Sequence, residues 1–118
     1  KKVAHHADND TTSIIDLLRQ SRYDMHECFV TSPMVPMTLA EGRKALGDDI
    51  VIFGGIPSVI LEEAVSDEQF EIYLDEIFDA VKPGDNFILG IADNMMPSSM
   101  LSRVKRIGEM AKEQGSYP

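Results

Sequence analysis

Ile50-Val51-Ile52-Phe53-Gly54-Gly55-Ile56-Pro57 decides the fold of this chain. Its first four residues are apolar, three of them β-branched, and no polar residue alternates between them. Such a strand reads as buried on both faces, as strands of parallel sheets are, rather than as half-solvated like an antiparallel one. The run then meets two glycines, where a backbone can turn sharply or come close to a ligand. Parallel neighbours need long crossovers, so helices are expected on either side.

Working outward from that strand, the same alternation continues in both directions. Upstream, Met25 to Val30 is a second strand-like run, followed by Pro33 and Pro36 and then by Thr38-Leu39-Ala40-Glu41, a capping box opening a short helix that stops near Gly47. Further back, Val3 to His6 is a brief extended run, and Thr11 or Thr12 caps a helix to about Gln20 with Ile14, Leu17 and Leu18 on one face. Downstream, Ser66-Asp67-Glu68-Gln69 is a second capping box. It starts the longest amphipathic segment, with Phe70, Tyr73, Leu74, Ile77, Phe78 and Val81 at spacings of three and four. Lys82 to Asp85 is a turn, Phe87 to Leu89 a fourth strand, and Ser98 or Ser99 caps a last helix through Leu101, Val104, Ile107 and Ala111.

The fold class is therefore α/β: four consecutive βα units with parallel strands and right-handed crossovers, forming a single domain over residues 1–118. This is half of a (β/α)8 TIM barrel, which takes ~250 residues when complete. A half barrel exposes two parallel edge strands and an inner face, so the expected partner is a missing N-terminal half or a second copy in a homodimer. The chain opens on Lys1 and enters a strand with no lead-in, which reads as a fragment of something longer.

Composition narrows the function classes. A formal charge of -9, with only 11 Lys and Arg, argues against nucleic acid, whose phosphates need a basic stripe. No apolar run nears the ~20 residues that span a bilayer, and no secretory signal is visible, so no membrane partner is expected. The single cysteine, Cys28, precludes an intrachain disulfide and suits a reducing cytoplasmic setting.

Chemically able residues gather where each strand ends: His5-His6-Ala7-Asp8-Asn9-Asp10, Glu27 to Pro33, Gly54 to Pro57, and Gly90 to Asn94. Ligands of parallel α/β proteins sit outside those carboxyl ends. His6 and Asp8 alternate along an extended chain and can point the same way, giving a metal-chelating pair to which Asp93 adds a third ligand. The plainer reading is a His-Asp pair that orients a loop. His5 points oppositely, toward helices or solvent. His26 and Cys28 share one face of their strand and Glu27 takes the other, and the pattern leaves open which of the two looks inward. Glu27 is the stronger catalytic candidate, because a carboxylate among strands needs a reason such as proton transfer or a metal. Asp93 is the second catalytic candidate, with Asn94 placed to orient it. Cys28 reads as a small buried hydrophobe. Gly54 and Gly55 lack phosphate-loop spacing and mark either a tight turn or close approach to a cofactor.

Taken together, His6-Ala7-Asp8-Asn9, Phe53-Gly54-Gly55-Ile56-Pro57 and Phe87 to Asn94 with Pro97 resemble the C-terminal half of the uroporphyrinogen decarboxylase superfamily. That family comprises (β/α)8 barrels, among them haem-pathway decarboxylases and zinc-dependent methyltransferases acting on methyl-corrinoid proteins. The resemblance implies an enzyme taking a tetrapyrrole or a corrinoid protein as partner, with zinc and the corrinoid methyl donor as cofactors in the methyltransferase branch. There, a His-x-Cys-Gly motif and a later cysteine ligate zinc. His6 matches the histidine, Asp8 stands at the first cysteine position, and Asp93 lies in the region of the second. A carboxylate binds zinc without the soft donor that a thiolate supplies. The decarboxylase branch carries a Gly-His-Gly near its last strand, and the equivalent stretch here, Leu89-Gly90-Ile91-Ala92-Asp93, has no histidine. Methyl transfer to a thiol or related acceptor is the leading expectation, decarboxylation of a porphyrinogen or other carboxylate the second, and a non-catalytic binding or assembly module the third.

Overall fold

The computed structural model describes residues 1–7 and 9–115. Four strands, β1 (Ala4–His6), β2 (Met25–Phe29), β3 (Val51–Pro57) and β4 (Phe87–Ala92), alternate with helices α1 (Ile15–Gln20), α2 (Leu39–Leu46), α3 (Asp67–Ala80) and α4 (Leu101–Gln114). All neighbouring strands are parallel and the sheet order is β1-β2-β3-β4. Four βα units are therefore present as the alternation predicts. Consecutive order with right-handed crossovers sends every helix to the same side of the sheet, which is how (β/α)8 barrels are wound; doubly wound sheets instead reverse their order at a switch point.

Register sorts the side chains into two rows. His5, His26, Ile52 and Phe87 are aligned across the four strands, as are His6, Glu27, Phe53 and Ile88. The first row packs beneath the helices: His26 and Ile52 are fully buried, and Phe87 nearly so. The second row is the open one, with Ile88 43% exposed and Phe53 half-buried. Purely parallel sheets normally cover both faces. Here helices cover one.

The core lies between sheet and helices. α3 buries Phe70, Leu74, Ile77 and Phe78 at the predicted spacing. Full burial of each such side chain contributes ~1.5–3 kcal/mol. The Thr38–Glu41 capping box forms as predicted: the Glu41 amide donates to the Thr38 hydroxyl, and the Thr38 amide donates to the Glu41 carboxylate. Of the second predicted box only the Ser66 half forms, its hydroxyl accepting from the Gln69 amide at 3.1 Å. α2 lies close against β2, since a Cβ on Gly42 would sit 2.3 Å from the Phe29 ring.

Several local expectations are overturned. Thr11 and Thr12 cap nothing; Thr12 donates to Asp10 instead, and the chain enters α1 through a 3-10 turn at Thr12–Ile14. That delay rotates the buried face to Ile15 and Leu18, leaving Ile14 and Leu17 at 43% and 62% exposure. β3 does not stop at Phe53 but runs through both glycines to Pro57, and a 3-10 turn at Ser58–Leu61 follows. β4 likewise extends past Leu89 to Ala92. Ser98 and Ser99 do not cap α4, which begins after Met100; their hydroxyls are committed to the Glu62 carboxylate at 2.6 Å each. No helix among the described residues is long and apolar enough to cross a membrane.

Candidate functional site

Because all four strands are parallel, their carboxyl ends share one edge of the sheet. His6 ends β1, and its register partner on β2 is Glu27. Both belong to the open row, so their side chains meet: the His6 imidazole contacts the Glu27 carboxylate through Nδ1 and Oε2. The His6 side chain is 61% exposed and that of Glu27 34%. An imidazole held by a carboxylate on an accessible surface can take up, hold and return a proton. The face left open by the sequence pattern is thereby decided: Glu27 looks away from the helices and His26 toward them.

Cys28 departs from its expected place. The register of β2 against β3 slips between Glu27 and Phe29, and Cys28 takes φ +60° within the slip. One extra residue in a strand inverts the facing of everything beyond it. Phe29, not Cys28, consequently joins His26 beneath the helices, their rings 5.0 Å apart and edge-on. The expectation that His26 and Cys28 share a face is corrected by this bulge. The Cys28 Sγ accepts the Asp93 amide at 3.0 Å.

Asp93 follows β4 with φ +61° and is exposed, and Asn94 Nδ2 donates to its carboxylate at 3.4 Å, as its position suggested. His6 and Asp93 belong to opposite edges of the sheet, with β2 and β3 between them. Asp8, the other proposed ligand, lies outside the described residues. Among the described residues no group of three or more His, Cys, Asp or Glu is placed to hold a metal ion. His6 and Glu27 supply two adjacent donors, one nitrogen and one oxygen, of the types zinc accepts.

Gly54 and Gly55 sit inside β3 with φ of +137° and +85°. A Cβ at Gly54 would fall 2.7 Å from the Phe29 backbone nitrogen, so this glycine lets the bulged β2 come close. The Gly55 carbonyl accepts from the buried Thr31 hydroxyl at 3.1 Å. Both glycines are thus engaged with β2 and the segment after it.

Three polar features escaped the sequence reading. On the helix side, His5 stacks on Tyr23 at 5.3 Å and lies edge-on to His26 at 5.1 Å. Tyr23 Oη and His26 Nδ1 are hydrogen-bonded at 3.0 Å, while His26 Nε2 and His5 Nδ1 are buried without a partner. Burial, with the neighbouring His5 adding to it, pushes His26 down to about 4 from its usual 6.5, against the opposing pull of Glu27. It is a neutral core residue at neutral pH. Arg103, 4% exposed, donates to the carbonyls of Ile60, Glu62 and Val65 and to the Asp67 carboxylate, tying α4 to the β3–α3 connection. Its place on the Ile107–Met110 stripe was the available signal. Finally, Glu62 receives Ser98 and Ser99, which hold its carboxyl below the ordinary range and join the loops after β3 and β4.

A groove of about 400 Å³, lined in part by Phe78, Val81, Phe87, Leu89 and Ala111, opens on the helix side between α3, β4 and α4. The His6–Glu27 pair stands on the other face of the sheet, where its polar geometry marks it. No protein-family model matches this chain, and no curated protein matches it.

Proposed function

We propose that the chain is the C-terminal half of a uroporphyrinogen decarboxylase-like barrel enzyme, working in metal-assisted methyl transfer from a methyl-corrinoid to a thiol or related acceptor. The observation that carries the reading is the His6–Glu27 contact on the open face, at the strand ends where parallel α/β proteins bind ligands. The sequence motifs at His6, Gly54-Gly55 and Asp93 supply the chemical class. His6 would hold the zinc, with Asp8 and Asp93 as the remaining candidate ligands and Glu27 orienting the His6 ring, as carboxylates commonly do for metal-bound histidine. When bound, zinc would act as a Lewis acid and lower the pKa of the acceptor thiol. The Glu27 carboxylate would then provide the place for the proton that the thiol gives up.

A specific observation favours a second reading, decarboxylation. His6 and Glu27 touch each other directly, so the pair can store and deliver a proton with no third group. A departing carboxyl group leaves a carbanion that needs such a donor. The open second face and the two edge strands support the half-barrel part of the proposal, since the remaining units would cover both.

The test is elemental analysis after purification in zinc-replete buffer. Methyl transfer predicts about one zinc per chain, lost in His6→Ala; a metal-free wild type overturns it and leaves decarboxylation. That reading in turn predicts binding of a tetracarboxylic tetrapyrrole without metal, weakened in Glu27→Gln. A chain that binds neither is a non-catalytic module.

A further inference from the structure

We infer that Cys28 is a positioning residue, holding Asp93 at the rim of the site through the Asp93 backbone. The inference rests on the reading of Asp93 as a site residue. Cys28 is the extra residue of β2, and it serves neither of the usual strand roles: Phe29 packs beneath the helices and Glu27 takes the open face. Its φ of +60° is one that non-glycine residues adopt when surrounding contacts impose it. What it gains there is the Asp93 amide, whose N–H donates to Sγ at 3.0 Å. Asp93, just past the end of β4, has φ +61°, so two non-glycine residues in the left-handed region, one on β2 and one beyond the non-adjacent β4, meet in one hydrogen bond.

β3 lies between them: Gly54 is opposite Phe29, the residue after Cys28, and Pro57 is opposite Ala92, the residue before Asp93. Cys28 is only 7% exposed, so the sulfur is fixed by its surroundings and Asp93 is fixed to the sulfur. The carboxylate projects from that backbone. With φ released to negative values, the side chain would leave the strand end in another direction. The far end of the same loop is tied independently, by Ser98 and Ser99 on Glu62 and by the Met100 amide on the Leu61 carbonyl at 2.9 Å. Loss of the thiol therefore frees the beginning of the loop and leaves its end in place.

The experiment is amide hydrogen exchange with φ-sensitive HN–Hα coupling, read by nuclear magnetic resonance on the metal-free, ligand-free chain. In the wild type the Asp93 amide is protected and its coupling reports a positive φ. In Cys28→Ala the Asp93 amide exchanges at least tenfold faster and its coupling shifts toward negative φ, while the Met100 amide is unchanged. Cys28→Ser restores both signals, because a hydroxyl oxygen also accepts the N–H. An unprotected Asp93 in the wild type overturns the inference, as does a Cys28→Ala chain with unchanged Asp93 signals or a serine variant that behaves like alanine. If Cys28→Ala does not fold, the wild type and Cys28→Ser decide between the same outcomes. None of these signals needs zinc or substrate, so absence of zinc would overturn the methyl-transfer reading and leave the Cys28 result standing on its own.

Discussion

Lowering the pH from 7 to 5 should destabilise this fold through one residue, His26. The imidazole is fully buried on the helix side, hydrogen-bonded only at Nδ1, and held down to about 4 by burial first and by His5 second. In the unfolded chain the same ring protonates near 6.5. Folded pKa below unfolded means that the unfolded state binds more protons between the two values. His26 therefore costs almost nothing above pH 6.5, its cost grows as pH falls, and it levels off below about 4. The loss between pH 7 and pH 5 comes to ~2 kcal/mol, and the full gap to ~3 kcal/mol. With a urea slope of roughly 1–2 kcal/mol per molar, the unfolding midpoint should fall by ~1–2 M between the two buffers. Asp10, Asp24, Glu41 and Glu62 have carboxyls lowered from ordinary values of 3.8 or 4.5, so their acid-linked losses come mainly below pH 5. The control is His26→Phe, which keeps a ring in the core and removes the titration. Comparing pH dependence rather than absolute stability removes the effect of leaving Tyr23 without its partner. A His26→Phe chain that loses as much between pH 7 and pH 5 as the wild type would show that His26 is not the source of the loss.

Arg103→Met takes the guanidinium away from three backbone carbonyls, of which that of Glu62 keeps the Val65 amide, and undocks α4 from the Ile60–Asp67 segment; urea unfolding should show a loss of ~3 kcal/mol. Arg103→Lys should recover less than half of that, since one ammonium cannot reproduce a fork spread over four acceptors. Gly90→Val drives a Cβ to 2.7 Å from the Phe53 ring on the open face, and thermal unfolding should register an overpacking cost of ~1–3 kcal/mol. Gly108→Ala meets nothing within 4 Å and sits in a helix interior, so it should stabilise α4 by up to ~1 kcal/mol.

What was legible in the sequence was whatever neighbouring residues decide among themselves. The Thr38–Glu41 box and the Phe70 to Phe78 stripe depend on spacings of three and four, and they stand where the pattern put them. Ile50 to Phe53 announced a parallel sheet because continuous apolar character is a local property. Features set by distant partners were not legible. The slip at Cys28 is linked to an amide 65 residues away, and it decides which residue after Glu27 faces the helices. Ser98 and Ser99 have the composition of a cap, but Glu62, 36 and 37 residues earlier, takes both hydroxyls. Gly54-Gly55 reads equally well as a strand end or as room for an approaching neighbour, and only β2 settles that the strand continues. The candidate site divides the same way. Residue types at the strand ends could be read off directly, whereas the pairing of His6 with Glu27 needed the register of β1 on β2.

We propose that ligand chemistry belongs to the carboxyl ends of the strands, around His6, Glu27 and Asp93. The most direct test is a titration of the chain with zinc followed through backbone amide resonances. Stoichiometric shifts are expected to concentrate at His6, Glu27 and Asp93 and to be abolished in His6→Ala, with the opposite end of the sheet around Arg43 and Asn86 silent. Shifts centred on Arg43 and Asn86, or a spectrum unmoved by zinc at several equivalents, would contradict it.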